Sequence, residues 1–228
     1  MPIYNARLEQ ININEMRRYA GLQKVSFSEE RLEAARSEAL LYIEPKTSWE
    51  LYDYDCKSQI IKSNPPVHIK GEKAGAHLRG AAKIICIAAT IGSALTDTAN
   101  SYFQKGEYTH GLLLDAAATA AVEQTADALE RVLTPKAAAK GYKMHWRYSP
   151  GYGDWPLEEQ AKLLPLCHGQ DIGISITELN MLSPVKSITA VIGLYPDGER
   201  IPQDMQGCAS CGKKECVFRR KILIADKS

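Results

Sequence analysis

An α+β fold is what this chain predicts, on three observations. Apolar stripes at helical spacing and stretches rich in aromatic and β-branched residues are mixed without the steady strand–helix–strand rhythm of a doubly wound sheet. The run Ile84-Ile-Cys-Ile-Ala-Ala-Thr-Ile91 is apolar almost throughout, as a strand buried on both faces would be. The stretch from His110 to Leu133 is the longest helical segment and is packed with alanines, whose small side chains let a neighbouring helix or a ligand approach its axis closely. With 228 residues the chain has ample length for a core, as one large domain or two small ones.

In chain order, residues 9–20 predict a short helix with Ile11, Ile13 and Met16 apolar. Ser26-Phe-Ser-Glu29 has capping-box form and opens a stronger helix reaching about Glu44, with Leu32, Ala35, Ala39, Leu40 and Ile43 as its stripe and Pro45 as its end. Trp49 to Ile61 fits one or two strands, Asn64-Pro-Pro66 a turn, and Val67-His-Ile69 a short strand. Ala74 to Lys83 reads as a small-residue helix leading into the buried strand Ile84–Ile91. After Gly92-Ser93 a helix carries Leu95, Ala99 and Phe103, and the alanine-rich helix follows it. Pro135 opens a linker to the strand Lys143-Met-His-Trp-Arg147, and Leu157 to Cys167 is a short helix. Ile172 to Thr177 and Ser187 to Leu194 read as two strands joined through Asn180-Met-Leu-Ser-Pro-Val185.

Net charge is +1 with no long basic run, so the electrostatics do not point to nucleic acid. The first residues lack the apolar run of a secretory signal, and the apolar stretch Ile84–Ala89 is too short to span a bilayer. A cytoplasmic protein is expected. Six cysteines are present, three of them crowded near the C-terminus, unlike the spread of a secreted disulfide scaffold. The five histidines form no metal-ligand spacing, and His145 and His168 read as ordinary packing or surface residues.

The most informative stretch is Arg147-Tyr-Ser-Pro-Gly-Tyr-Gly-Asp-Trp-Pro156. Pro150 locks φ, while Gly151 and Gly153 permit turns that a β-carbon would forbid. Asp154, Pro156, Glu158 and Glu159 read as a helix start with a capping side chain and acids at the positive end of the dipole. The product is a stiff, aromatic-walled bend with a guanidinium aimed into it, suited to a planar or carboxylate-bearing small molecule. An ordinary strand-to-helix turn with packed aromatics fits the same residues. Glu123, inside the alanine-rich helix with Asp115 and Asp127, is either a solvated surface acid or an acid placed to meet a ligand amine or hydroxyl.

Cys208-Ala-Ser-Cys211 followed by Cys216 gives C-x2-C-x4-C, with Arg219, Arg220 and Lys221 close behind. A C-x2-C pair puts two sulfurs on one tight loop, as zinc and iron–sulfur sites require. A fourth ligand is missing locally, and Cys167, a histidine or water would have to supply it. A reactive dithiol and plain structural thiols remain as alternatives.

Taken together, Arg147-x-x-Pro-Gly-Tyr152, the helix containing Ala120-Ala-Val-Glu123, the order of elements between them, and the later segment Leu179-Asn-Met-Leu-Ser-Pro-Val-Lys-Ser187 resemble the activation domain of cobalamin-dependent methionine synthase, here as a free-standing chain. The resemblance covers roughly residues 60 to 200. It implies a twisted antiparallel sheet surrounded by helices. It also implies a single unit over residues 1–228, with an N-terminal helical portion to about residue 48 and a cysteine-containing tail from about residue 203. By the same resemblance the chain binds S-adenosylmethionine. Arg147 would grip the methionine carboxylate, Glu123 would face the amino or hydroxyl groups, and Ser149, Pro150, Gly151 and Tyr152 would seat the nucleoside.

The implied role is reductive methylation of oxidised cobalamin carried by a methionine synthase that lacks its own activation domain, with a flavodoxin- or ferredoxin-like electron donor. The chain departs from the family in two ways. No counterpart of the family's N-terminal aspartate is found in residues 1–20, and the cysteine tail is absent from the fused form. Asp-x-His-x-x-Gly, which ligates cobalamin, is also missing, so the corrinoid must come from a partner. An alternative reading is a corrinoid- or S-adenosylmethionine-linked regulatory or redox protein whose cysteines hold zinc or an iron–sulfur cluster. No side chain needs to act as a nucleophile, and turnover by this chain alone is not expected.

Overall fold

The structure is a computed structural model and describes residues 3–202. Cys208, Cys211 and Cys216 lie outside the described residues. Two short elements open the chain, β1 (Ile3–Tyr4) and α1 (Ile13–Tyr19). The first helix begins later than its apolar pattern, because Asn12 caps it by accepting from the backbone N–H of Asn14 and Glu15. In α2 (Glu29–Ala39) the cap is Ser28, not Ser26: the Ser28 hydroxyl accepts from the Arg31 N–H at 3.3 Å, which makes Glu29 the first helical residue.

Next come β2 (Lys46–Asp55), β3 (Ile60–Ile61), β4 (Val67–His68), α3 (Glu72–His77) and β5 (Lys83–Thr90), followed by α4 (Ala94–Gln104) and α5 (Tyr108–Ala138). The strand-rich stretch after Trp49 is thus two strands, and the helix expected at 74–83 is shorter and starts earlier. The long helix continues through Pro135, which therefore begins no linker. Its carbonyl still accepts from Ala139 N at 3.0 Å, so the last turn closes behind it. Beyond lie β6 (Tyr142–Met144), a 3₁₀ turn at Leu157–Glu159, α6 (Gln160–Leu166), a second 3₁₀ turn at Gly169–Ile172, β7 (Ser175–Ile176), β8 (Leu182–Ser183) and β9 (Ser187–Pro196).

Among the described residues the main sheet runs β4-β3-β2-β5-β9-β6, with β1 also pairing β2, and every pair is antiparallel. The expected strand 172–177 does not join it. Its front is the 3₁₀ turn, and Ser175–Ile176 pairs with Leu182–Ser183 in a separate hairpin.

β5 sits between β2 and β9 and explains the uninterrupted apolar run. Ile84, Cys86 and Ala88 enter one core with Ile69, Trp155, Leu163 and Val191. Ile85 and Ile87 enter another with Leu129, Leu133 and Ile192. A third core packs α1, α2, α4 and the first half of α5 through Ile11, Met16, Leu32, Leu95 and Leu113. The alanines are what let the helices close on α5: Ala116, Ala117, Ala120 and Ala121 are all buried in that core. Among the described residues no helix is long and apolar enough to cross a membrane.

Candidate functional site

Arg147 lies at the open edge of the sheet. After β6 the chain stays beside β9 as far as Tyr148, which exchanges backbone hydrogen bonds of 2.9 and 2.8 Å with Val191. Side chains alternate across an extended chain, so Tyr148 enters the core with Trp155 while Arg147 points to α5 on the other face. There it meets three carboxylates. Nη2 donates to Glu123 Oε2 at 2.5 Å, and Nη1 donates to Asp127 Oδ1 at 2.7 Å and to Glu130 Oε1. Positions i, i+4 and i+7 share one helix face, which is why the three acids converge on one guanidinium.

The electrostatics follow from one positive charge shared by three negative ones. The Arg147 side chain is only 13% exposed, and that burial favours its neutral form. The charges of Glu130, Glu123 and Asp127 outweigh it and hold the guanidinium firmly protonated. Burial pushes Glu130 up, Arg147 opposes it without fully offsetting it, and the negative charges of Asp127 and Glu123 add to the rise. The guanidinium is thus strongly held, and one carboxylate is left under-compensated.

The turn is built as a closed loop. Tyr152 N–H donates to Ser149 O at 3.1 Å, Trp155 N–H to Tyr152 O at 3.0 Å, and Gly151 N–H to Trp155 O at 2.8 Å. Ser149 and Pro150 are buried, and Gly151 is exposed with φ +87°. Gly153 has φ +58°, and a Cβ there would stand 2.3 Å from the Tyr148 hydroxyl, so glycine is required twice over. Tyr152 is 52% exposed, its ring edge-on to Tyr148 with centroids 5.9 Å apart. Packing around its phenol and then the charge of Glu123 push its pKa up, with Arg147 opposing.

Asp154 does not cap the helix that follows it. Its carboxylate accepts from the backbone N–H of Glu72 at 2.8 Å and of Lys73 at 3.1 Å, at the start of α3. The reason lies at that helix's own cap: Gly71 has no side chain to offer, and its φ of +101° brings Asp154 so near that a Cβ would sit 2.6 Å from the carboxylate. Glu159 is buried and paired with Lys70 at 3.1 Å and Lys162 at 3.0 Å.

Glu123 and Arg147 are therefore in direct contact, and the turn residues Ser149 to Tyr152 follow directly after. Asp127, Glu130 and Tyr19 are members that the sequence reading did not assign. The acids were legible in the spacing from Glu123. Tyr19, at the end of α1, was not, because it reaches α5 only through tertiary packing. Burial and then the charge of Glu123 push its phenol up, and the Arg18 guanidinium sits 3.9 Å above its ring.

His145 stacks on buried His77 at 4.3 Å, and His168 sits at the surface 3.6 Å from Glu50, as packing and surface residues. Cys167 is buried with its thiol pushed up to about 12 by burial, which disfavours the thiolate a metal would need. Among the described residues no group of three His, Cys, Asp or Glu is placed to hold a metal. An open cleft of about 430 Å³ lies at the start of α5, lined by Arg31, Tyr108 and His110 among others. His110 is roughly 20 Å along the helix from Glu123, so the cleft and the ion cluster are separate features.

The fold, an open antiparallel sheet backed by a long alanine-rich helix, is similar to that of a methionine synthase reactivation domain. Among solved structures it is similar to the crystal structure of the MetH reactivation domain bound to AdoHcy, at a TM-score of 0.55 and 15% identity, over 88% of this chain and 80% of that one. The expected fold is therefore borne out. No protein-family model matches the chain, and no curated protein matches it.

Proposed function

We propose that this chain binds S-adenosylmethionine at the Arg147–Tyr152 turn against Glu123 and supports reductive methylation of cobalamin carried by a methionine synthase without its own activation domain. The observation that carries this reading is the Arg147–Glu123 ion pair. Its two charges complement the two charges of an α-amino acid headgroup, and it lies on a fold whose crystallised counterpart holds AdoHcy. Arg147 offers a planar fork to the ligand carboxylate and Glu123 an acceptor to the ammonium. Ser149, Pro150, Gly151 and the half-exposed Tyr152 ring seat the nucleoside. Bound there, S-adenosylmethionine would supply an electrophilic methyl to cobalt on the partner, leaving S-adenosylhomocysteine, once one electron from a flavodoxin- or ferredoxin-like donor has reduced that cobalt. The chain's own residues bind and orient, and none serves as a nucleophile. The setting is cytoplasmic methionine biosynthesis. Under this reading Cys208, Cys211 and Cys216 are a candidate zinc or iron–sulfur site beside the main function.

Calorimetric titration with S-adenosylmethionine tests the proposal. Arg147→Ala should weaken binding by about 2 to 4 kcal/mol by removing a charge-assisted bidentate contact. Arg147→Lys should also be impaired, since an ammonium cannot reproduce the fork. Unchanged affinity in both variants would sink the assignment. With a cobalamin-loaded partner, a low-potential reductant and S-adenosylmethionine, the methylcobalamin spectrum should rise only when this chain is added.

A further inference from the structure

The two ends of the Arg147 fork are used differently. Nη1 takes both Asp127, at 2.7 Å, and Glu130, whereas Nη2 takes Glu123 alone, at 2.5 Å. Two carboxylates on one nitrogen fix that end of the side chain, while the other end has a single partner to exchange. With all four groups ionised, three carboxylates face one guanidinium and the site carries surplus negative charge. We infer that Asp127 and Glu130 are specificity-determining residues: they hold Nη1 so that Nη2 and Glu123 receive an amino-acid headgroup, and their surplus charge makes the site select a sulfonium over the corresponding thioether. This rests on the S-adenosylmethionine reading above and names what decides its choice of ligand.

The charge count carries the argument. An α-amino acid headgroup inserted between Nη2 and Glu123 replaces one ion pair by two, carboxylate on Arg147 and ammonium on Glu123, and adds no net charge. The surplus on Asp127 and Glu130 is then still uncompensated when the ligand is a neutral thioether. A sulfonium brings the missing positive charge. For charges less than about 10 Å apart in a partly buried site, an effective dielectric near 20 gives selectivity on the order of tenfold or more. Asp115 lies on the same helix but roughly 18 Å away from Asp127, and it is already paired with Lys186 at 2.8 Å. That distance exceeds the Debye length of about 8 Å at physiological salt, so Asp115 contributes nothing to the choice.

The test measures dissociation constants for S-adenosylmethionine, S-adenosylhomocysteine and an aza analogue whose protonated amine stands in for the sulfonium. Wild type should favour the sulfonium over the thioether by about tenfold or more, and the aza analogue should bind with the sulfonium, separating charge from methyl contacts. Asp127→Asn and Glu130→Gln should each reduce the sulfonium preference by about threefold or more, Asp115→Asn should leave it intact, and added salt should lower it in wild type. A wild-type ratio near one, ratios unchanged in both variants, or an aza analogue that follows the thioether would each overturn the inference. The Asp127 side chain is 45% exposed, so Asp127→Asn should fold, and with the salt series it decides the matter even if Glu130→Gln does not. Wild-type protein that binds none of the three ligands would remove the functional proposal itself, a result read before any variant is made.

Discussion

Asp154 and Glu159 bracket Trp155 and tie the turn to its surroundings, one through backbone N–H groups, the other through lysines. Burial by itself would push both carboxyls up. For Asp154 the N–H groups of Lys73 and Glu72 outweigh it, and for Glu159 the hydrogen bonds of Lys162 and Lys70 do. Both therefore titrate lower in the fold than in the unfolded chain. The unfolded state binds more protons in that range, so their stabilisation is present above the ordinary carboxylate pKa of about 4 and is lost as pH falls toward the folded values. Melting temperature measured from pH 6 to 3 should fall steeply in wild type. Asp154→Asn and Glu159→Gln should melt lower at pH 6 and show a shallower fall. A variant curve parallel to wild type would rule out these two residues as the source. At this scale the sequence was legible in part. Arg147 and Glu123 stood out by residue type and neighbourhood, but their direct pairing did not, because it joins residues 24 positions apart across two elements. The role of Asp154 is not legible in sequence, because the N–H groups it satisfies belong to a helix 81 to 82 positions upstream, capped by a glycine with no side chain.

Helix α5 shows why element type is easier to read than element boundaries. Its alanines and apolar spacing announce a helix, yet the chain runs straight through Pro135 to Ala138. Ala137, buried against the sheet with Leu133, holds that last turn down, and such packing outweighs a local breaker. The short pieces β7 and β8 failed in the opposite direction: an alternating pattern at 172–177 was real, but the partner that pins its register is the neighbouring hairpin strand and not the main sheet. The alanines themselves make a testable claim. Ala121 is fully buried where α1, α2 and α4 close on α5, so Ala121→Leu must displace a neighbouring helix and should cost about 1 to 3 kcal/mol. Ala138→Leu, at an exposed position of the same helix, should change stability little. Urea midpoints compare the two directly, and an equal effect would mean that the alanines are not there for close approach.

On the scale of the whole molecule, the α+β class was readable from the mixture of periodicities, but the strand order was not. Antiparallel neighbours such as β5 and β9 are about a hundred residues apart, and nothing in a local pattern encodes that pairing. How the N-terminal helical portion joins the rest is likewise not legible in sequence: α1 and α2 share one core with α5. Gln124 also grips the entering chain by accepting from Asn12 N at 2.7 Å and donating to Gln10 O at 3.2 Å. Since α5 also backs the sheet through Leu129 and Leu133, helical layer and sheet should unfold together. The tryptophans provide the means to see this. Trp49, Trp146 and Trp155 all belong to the sheet and its edge turn, so fluorescence reports on the sheet, while far-ultraviolet circular dichroism is dominated by the helices. In a urea titration the two signals should give one coincident transition. Ile11→Ala, which empties a fully buried site beneath α1, should cost about 2 to 4 kcal/mol of stability and move both midpoints down together, although Ile11 lies far in sequence from every tryptophan. If the dichroism midpoint falls while the fluorescence midpoint stays in place, the N-terminal helices form an independent unit and the shared core through α5 does not couple them to the sheet and its edge turn.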